Sequence, residues 1–243
     1  MKIISFYNHK GGTGKSSVVL AIAKQLQQKN KKVLVVDLDT DGCLTKNIIT
    51  EEDIDFDLAD YFYNDKVQID SIVKETLLEN LYIVPVKSLT SGGLLHKWII
   101  KEASKRPNEI IRFRMDLRKL DFDYVLIDMA PSLSILDKQV FTISNEIIPI
   151  LIMKKYYIQV FNAFTVLDTE FSSKIHIVVF NKLKKVKASL EEDIENLNYD
   201  KFFIPHDEFL ETAIKKQILL KEWDSINQNT IKVIDDICSC ILN

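Results

Sequence analysis

The 243-residue sequence has only six glycines and five prolines, and no repeat or low-complexity tract, so nothing in it reads as a flexible linker. Its three cysteines, Cys43, Cys238 and Cys240, are an odd number without framework spacing, which excludes a disulfide scaffold and suits a reducing compartment. Charge is nearly balanced: a formal net charge of −3 gives no chain-wide signal for nucleic acid, so any such contact needs a local patch. Long hydrophobic runs are also missing. The run after Met1-Lys2 is too short for a signal peptide, and Ile147–Met153 falls far below the roughly 20 residues of a membrane span. With 47% hydrophobic and 28% charged residues, the chain is expected to fold as a single cytoplasmic domain over residues 1–243.

Half of the scarce glycines fall in one place. Tyr7-Asn8-His9-Lys10-Gly11-Gly12-Thr13-Gly14-Lys15-Ser16-Ser17 follows an apolar run, Ile3-Ile4-Ser5-Phe6, and leads into a helical pattern over Val18–Lys29. Strand, glycine-rich turn and helix in that order make a phosphate-binding loop. Gly11, Gly12 and Gly14 let backbone N–H groups converge on one point, and the helix adds its free N–H groups and positive dipole end. Residues Gly11, Gly12, Thr13, Gly14, Lys15, Ser16 and Ser17 therefore form the expected phosphate cradle, with Lys15 on the terminal phosphates and the Ser16 hydroxyl on magnesium.

Near-continuous apolar runs recur at Ile3–Tyr7, Val33–Asp37, Leu81–Val86, Tyr124–Asp128, Ile147–Met153, Ile175–Phe180 and Phe202–Ile204. Segments such as Val18–Lys29, Ile69–Leu78, Ile158–Glu170 and Phe209–Glu222 can hold helices between them. The alternation predicts an α/β fold, a doubly wound and mostly parallel sheet with helices on both faces. Ligands of such sheets sit at the carboxyl ends of the strands. Two acidic motifs lie there. Asp37-Leu38-Asp39-Thr40-Asp41-Gly42 places two carboxylates on one side of a strand end, and Tyr124-Val125-Leu126-Ile127-Asp128 delivers one to the sheet's edge.

The strict phosphate-loop pattern has glycine where this chain has His9, and a second lysine, Lys10, precedes the glycine pair. Lys-Gly-Gly-x-Gly-Lys-Ser resembles the deviant Walker A motif of the ParA/MinD family of ATPases. Asp37 to Asp41 resembles that family's Asp-x-Asp-Pro-Gln, with Thr40 and Asp41 in place of proline and glutamine. Asp128-Met129-Ala130-Pro131-Ser132 resembles its Walker B segment, with Ala130 replacing a proline. Weaker likeness continues through Asp57–Tyr61 and Asn80–Pro85, and the resemblance covers Met1 to about His206.

The resemblance implies ATP and Mg²⁺ as cofactors and ATP hydrolysis as the activity. It implies that Lys10 reaches across a homodimer to the partner's nucleotide. Asp37 would help hold Ser16 and the metal's water shell, Asp128 would complete the metal site, and Asp39 would orient the attacking water. Asn181 and Pro205 would flank adenine. It also implies non-specific DNA binding when ATP has paired two subunits, association with the nucleoid, and a ParB-like or ribbon-helix-helix centromere-binding protein as stimulator. Plasmid or chromosome partition is the expected task, with positioning of another cargo or iron–sulfur carriage as alternatives.

Three basic clusters could meet DNA: Lys97 to Lys119, with eight basic side chains against three acids; Lys182, Lys184, Lys185 and Lys187; and Lys215, Lys216 and Lys221. No helix-turn-helix domain is expected before the first strand. The C-terminal helix carries Asp235 and Asp236 against Lys232 on its polar face, so membrane docking is not expected and packing on the sheet is. Cys238 and Cys240 would point about 200° apart on that helix, a poor arrangement for a cluster.

Overall fold

The structure is a computed structural model, and it describes residues 1–243 except positions 89, 91, 133, 184–187, 218 and 243. The first half runs β1 (Lys2–Tyr7), α1 (Lys15–Gln28), β2 (Val33–Leu38), α2 (Cys43–Lys46), α3 (Leu58–Tyr63), α4 (Ile69–Ile72), β3 (Lys74–Glu75), β4 (Leu81–Val84), α5 (Leu95–Lys101) and α6 (Asn108–Leu117). It continues with β5 (Tyr124–Met129), α7 (Ile135–Ile143), β6 (Glu146–Ile152), α8 (Lys155–Leu167), α9 (Thr169–Ser173), β7 (Ile177–Leu183), α10 (Ala188–Glu195), β8 (Asp200–Pro205), α11 (Glu208–Lys216) and α12 (Gln228–Leu242).

The strands form one eight-stranded sheet in the order β3-β4-β2-β5-β1-β6-β7-β8. All neighbours are parallel except the edge strand β3, which pairs antiparallel with β4. The expected doubly wound α/β fold is what the chain adopts. Residues 3–7 of β1 and the whole of β2 are buried, which explains why they read as unbroken apolar runs. Alternate side chains feed two cores, one on each sheet face: Ile3, Leu34, Val36 and Val125 belong to one, and Ile4, Phe6, Val33, Val35 and Leu126 to the other.

Three helix expectations change. Ile69–Leu78 is helical only to Ile72; Val73 turns extended, and Lys74-Glu75 become β3. Val73 is extended and β-branched, and the antiparallel ladder to Ile83 and Tyr82 outweighs a marginal helix. Ile158–Glu170 is split at Asp168, whose side chain accepts the Phe171 N–H at 2.9 Å and caps α9. Phe209–Glu222 stops at Lys216, because Gln217 takes the left-handed φ of 57°.

The C-terminal helix does pack as a core element. Ile234, Ile237, Cys238 and Ile241 of α12 are buried against α1 and the sheet, and Asp235 on its edge accepts from Gln25 Nε2 at 2.7 Å and pairs with Lys29 at 2.7 Å. Helix α1 is thereby covered on both sides, with Val18 to Ala23 fully buried. A helix held this firmly fixes the loop at its N-terminus.

Candidate nucleotide site

The glycine loop leaves the sheet centre between β1 and α1. Asn8 is buried, donates through Nδ2 to Ile150 O on β6, and accepts the Lys10 N–H at 2.9 Å through Oδ1. One side chain so ties the loop's first turn to a neighbouring strand. Gly12 (φ 79°) and Gly14 (φ 83°) take left-handed conformations that a side chain would resist. At Gly14 the restriction is double: a Cβ there would lie 2.4 Å from Asn181 Nδ2. His9 is not among the residues with positive φ, so the position that is glycine in the strict motif tolerates a side chain here.

Lys15 begins α1 and is buried, Ser17 is buried, and Ser16 is half-buried. No acid occupies the first turn of α1, so its N–H groups and positive dipole end face the loop without an internal counter-charge. These are the donors of an anion-binding site.

The two acidic motifs arrive on adjacent strands. Asp37 and Asp128 are register neighbours on β2 and β5, and both are fully buried. Burial raises the pKa of each; the Asp128 charge raises Asp37 further, while Lys15 and then Ser16 draw Asp128 back down. Their partners differ. Asp37 Oδ2 accepts from both the N–H and the hydroxyl of Thr45 at 2.8 Å, and its Oδ1 accepts the Asp39 N–H at 3.0 Å. Asp37, expected to help hold Ser16, here accepts from Thr45 and Asp39 and so braces the acidic loop. Asp128 is the carboxylate beside Ser16, and neither of its oxygens has a hydrogen-bond partner of good geometry. An orphaned buried carboxylate next to a hydroxyl and a lysine fits a hydrated hard cation, so these residues suit magnesium.

Asp39 is half-buried at the end of that loop. Its N–H is spent on Asp37, and its Oδ1 accepts the Asp41 N–H at 3.1 Å. Burial raises its pKa, opposed by the Asp41 N–H and by Lys15. Beyond β5, Pro131 lies 3.8 Å from where a Cβ on Gly11 would sit, and Asp137 Oδ2 accepts from Ser132 Oγ at 2.6 Å and Ser134 N at 2.5 Å. Asp137, itself buried, sends its field toward Lys15.

The opposite wall is made by β7 and α11. A cleft of about 340 Å³ is lined by Gly12, Gly14, Ser17, Asn181, Lys182, Leu210, Glu211 and Lys215. Asn181 is buried; its Nδ2 donates to Thr13 O at 2.8 Å and its Oδ1 accepts the Lys182 N–H at 2.8 Å. The side chain expected at an adenine edge is therefore engaged in clamping the glycine loop. Pro205, at the end of β8, does not line this cleft, whereas Glu211 does, paired with Lys182 at 3.0 Å.

Lys10 is exposed at the loop's outer rim, its ammonium 4.9 Å from the Tyr156 ring centre. Of the basic cluster over Lys97–Lys119, four members have acidic partners. Arg106 pairs with Asp65 and Glu109 at 2.9 Å, Arg112 with Glu109 at 2.7 Å, Lys119 with Asp116 at 2.6 Å and Lys105 with Glu102 at 3.9 Å. Lys184, Lys185 and Lys187 of the second cluster lie outside the described residues. No helix among the described residues is long and apolar enough to cross a membrane.

The AAA domain family pattern matches residues 1–177 of this chain. The chain belongs to the ParA/MinD family of ATPases. The sporulation initiation inhibitor protein Soj of Bacillus subtilis is 30% identical over 157 residues, 64% of this chain and 60% of Soj. The chain thus spans about three fifths of the length of that curated relative. A plasmid partition protein from Borrelia burgdorferi is similar in fold, with a TM-score of 0.75, 23% identity and coverage of 99% of this chain and 97% of that one. The septum site-determining protein MinD of Pyrococcus horikoshii, complexed with Mg-ADP, has a TM-score of 0.75 at 20% identity, covering 97% and 95%.

Against this family frame, the sequence reading missed Asn8, Thr45, Asp137 and Glu211. Asn8 had a signal, a polar residue directly after the buried strand β1, while Thr45 sits within the short helix α2 with no comparable mark. Asp137 and Glu211 had none, because only the fold brings α7 and α11 to the loop.

Proposed function

We propose that the chain is a ParA-like ATPase in which ATP with magnesium joins two subunits, switches on non-specific DNA binding, and is hydrolysed under stimulation by a partner protein. The observation that carries this is the division of labour between two lysines on one loop: Lys15 buried at the helix start, Lys10 exposed at the rim. A buried lysine among Asp39, Asp128 and Asp137 serves its own nucleotide. An exposed one is free to serve another subunit's.

In this reading Gly11 to Ser17 bind the phosphates, and Ser16 with Asp128 would hold magnesium. When bound, magnesium neutralises charge on the phosphate oxygens. Asp37 with Thr45 fixes the acidic loop, so that Asp39 can orient water toward the terminal phosphate. Lys15, and Lys10 from the partner, stabilise the charge that develops there. Asn181 keeps the loop shaped from below. Pro205 is proposed only as part of the wider adenine-side wall.

Pairing would sum the surface cations that remain exposed, Lys97, Lys101 and Arg118 on one side and Lys215 and Lys216 on another. Contacts of that kind are to phosphate and lose strength steeply with salt. The stimulator is proposed to be a ParB-like or ribbon-helix-helix protein, the cargo a plasmid or chromosome, and the ATP-bound protein nucleoid-associated. A gel shift with random-sequence duplex tests this: retardation is expected with ATP and magnesium, not with ADP, and is lost as salt rises from 50 to 200 mM. ATP-independent or absent retardation would count against the DNA switch.

A further inference from the structure

The placement of Lys10 is itself informative. Its ammonium lies 4.9 Å from the Tyr156 ring centre and 5.9 Å from that of Tyr157. The two tyrosine rings are 6.0 Å apart and nearly perpendicular, at 88°. The His9 ring packs against both, 5.9 Å from Tyr156 and 6.0 Å from Tyr157. Two tyrosine rings from the first turn of α8 so lie within 6 Å of one ammonium, with the His9 ring packed against both. Burial and the adjacent Lys10 charge both hold the His9 imidazole toward its neutral form, so the third ring adds no opposing charge. Tyr157 is buried, whereas Tyr156 is 53% exposed.

We propose that Tyr156, backed by Tyr157 and His9, is a positioning residue that stores the Lys10 ammonium within its own subunit, so that nucleotide-dependent pairing must draw the lysine off the rings. This rests on the reading of Lys10 as the lysine that crosses to a partner's phosphates. The attraction of an ammonium to a ring face at an exposed site is modest, and a phosphate oxygen offers a charge-assisted hydrogen bond that exceeds it. Bound triphosphate on a partner therefore wins the lysine; water alone does not. The stored position holds the exposed Lys10 ammonium against its own subunit's rings, and the need to release it opposes pairing without nucleotide.

Removing the ring face while keeping apolar bulk, as in Tyr156→Leu, should tighten the pair. One such contact corresponds to about a 2- to 5-fold change per subunit, and two lysines per dimer give about 5- to 30-fold in the dimer dissociation constant. Tyr156→Phe keeps the face and should stay within about twofold of the parent. The test is sedimentation equilibrium of full-length parent and both variants with magnesium and a non-hydrolysable ATP analogue. A structural role for Tyr156 would instead loosen the Leu variant. The proposal is overturned if Tyr156→Leu pairs with unchanged or weaker affinity while the parent dimerises. If the parent does not dimerise at all, the reading of Lys10 has failed instead. A measurement on the unmodified protein covers poor folding of the variant: Lys10 ε-methylene protons should be ring-shifted upfield without nucleotide and return on pairing. Unshifted protons in the nucleotide-free protein would contradict storage.

Discussion

Asp37 and Asp128 are register neighbours on adjacent parallel strands, each without solvent exposure, and Asp37 is braced by the N–H and hydroxyl of Thr45. Two carboxylates so placed resist losing both protons, and each pKa is raised, by burial first. A raised carboxylate pKa means the folded chain holds protons that the unfolded chain has released. The associated stability is complete below the ordinary carboxylate range near pH 4 and is lost as pH climbs through the raised values. The nucleotide-free protein should thus melt at lower temperature at pH 8 than at pH 5.5, and Asp128→Asn should flatten that dependence. A parent melting temperature that does not fall with pH more steeply than the Asp128→Asn variant's would contradict the paired-acid account.

Thr45 is the hinge between this pair and the rest of the sheet edge. Its hydroxyl donates to Asp37 and accepts the Val86 N–H at 3.1 Å, all of it buried. Thr45→Val keeps the shape and strands both partners, which should cost about 1–3 kcal/mol in urea unfolding. Thr45→Ser should recover most of the loss. A neutral Val substitution would mean the hydroxyl is dispensable.

Asn181 reaches 168 residues back along the chain to hold Thr13 O. Removing that buried bond by Asn181→Ala should leave the fold intact and weaken ATP binding about tenfold by calorimetry, a loss of order 1 kcal/mol. Lys15→Ala should abolish ATP binding. Unaltered affinity in Asn181→Ala would show that the clamp does not shape the loop.

Asp39, proposed to orient water, is held by its own turn: its N–H donates to Asp37 Oδ1 and its Oδ1 accepts the Asp41 N–H. Asp39→Ala should bind ATP and pair normally while phosphate release falls about 10²–10⁴-fold. Normal turnover in that variant would remove Asp39 from the mechanism.

Much of this was legible in the chain because parallel strands buried on both faces leave unbroken apolar runs, and because Gly12 and Gly14 need φ values that few other residues accept. The acids followed as strand-end residues. What could not be read were choices made by partners distant in sequence. The brace on Asp37 comes from Thr45 of α2, eight residues further on, whose N–H and hydroxyl both donate to it. Asn181 was expected at adenine, but the loop's Thr13 carbonyl takes its amide. The edge strand β3 was hidden in a segment of mixed propensity, where the β4 ladder decided the outcome.

The central claim is that Lys10 joins two subunits through nucleotide. Sedimentation velocity of the parent and of Lys10→Ala, each saturated with ATP and magnesium, tests it most directly. The parent is expected to sediment as a dimer, and Lys10→Ala to bind ATP yet stay monomeric. A parent that remains monomeric with ATP bound, or a Lys10→Ala variant that dimerises as well as the parent, would contradict it.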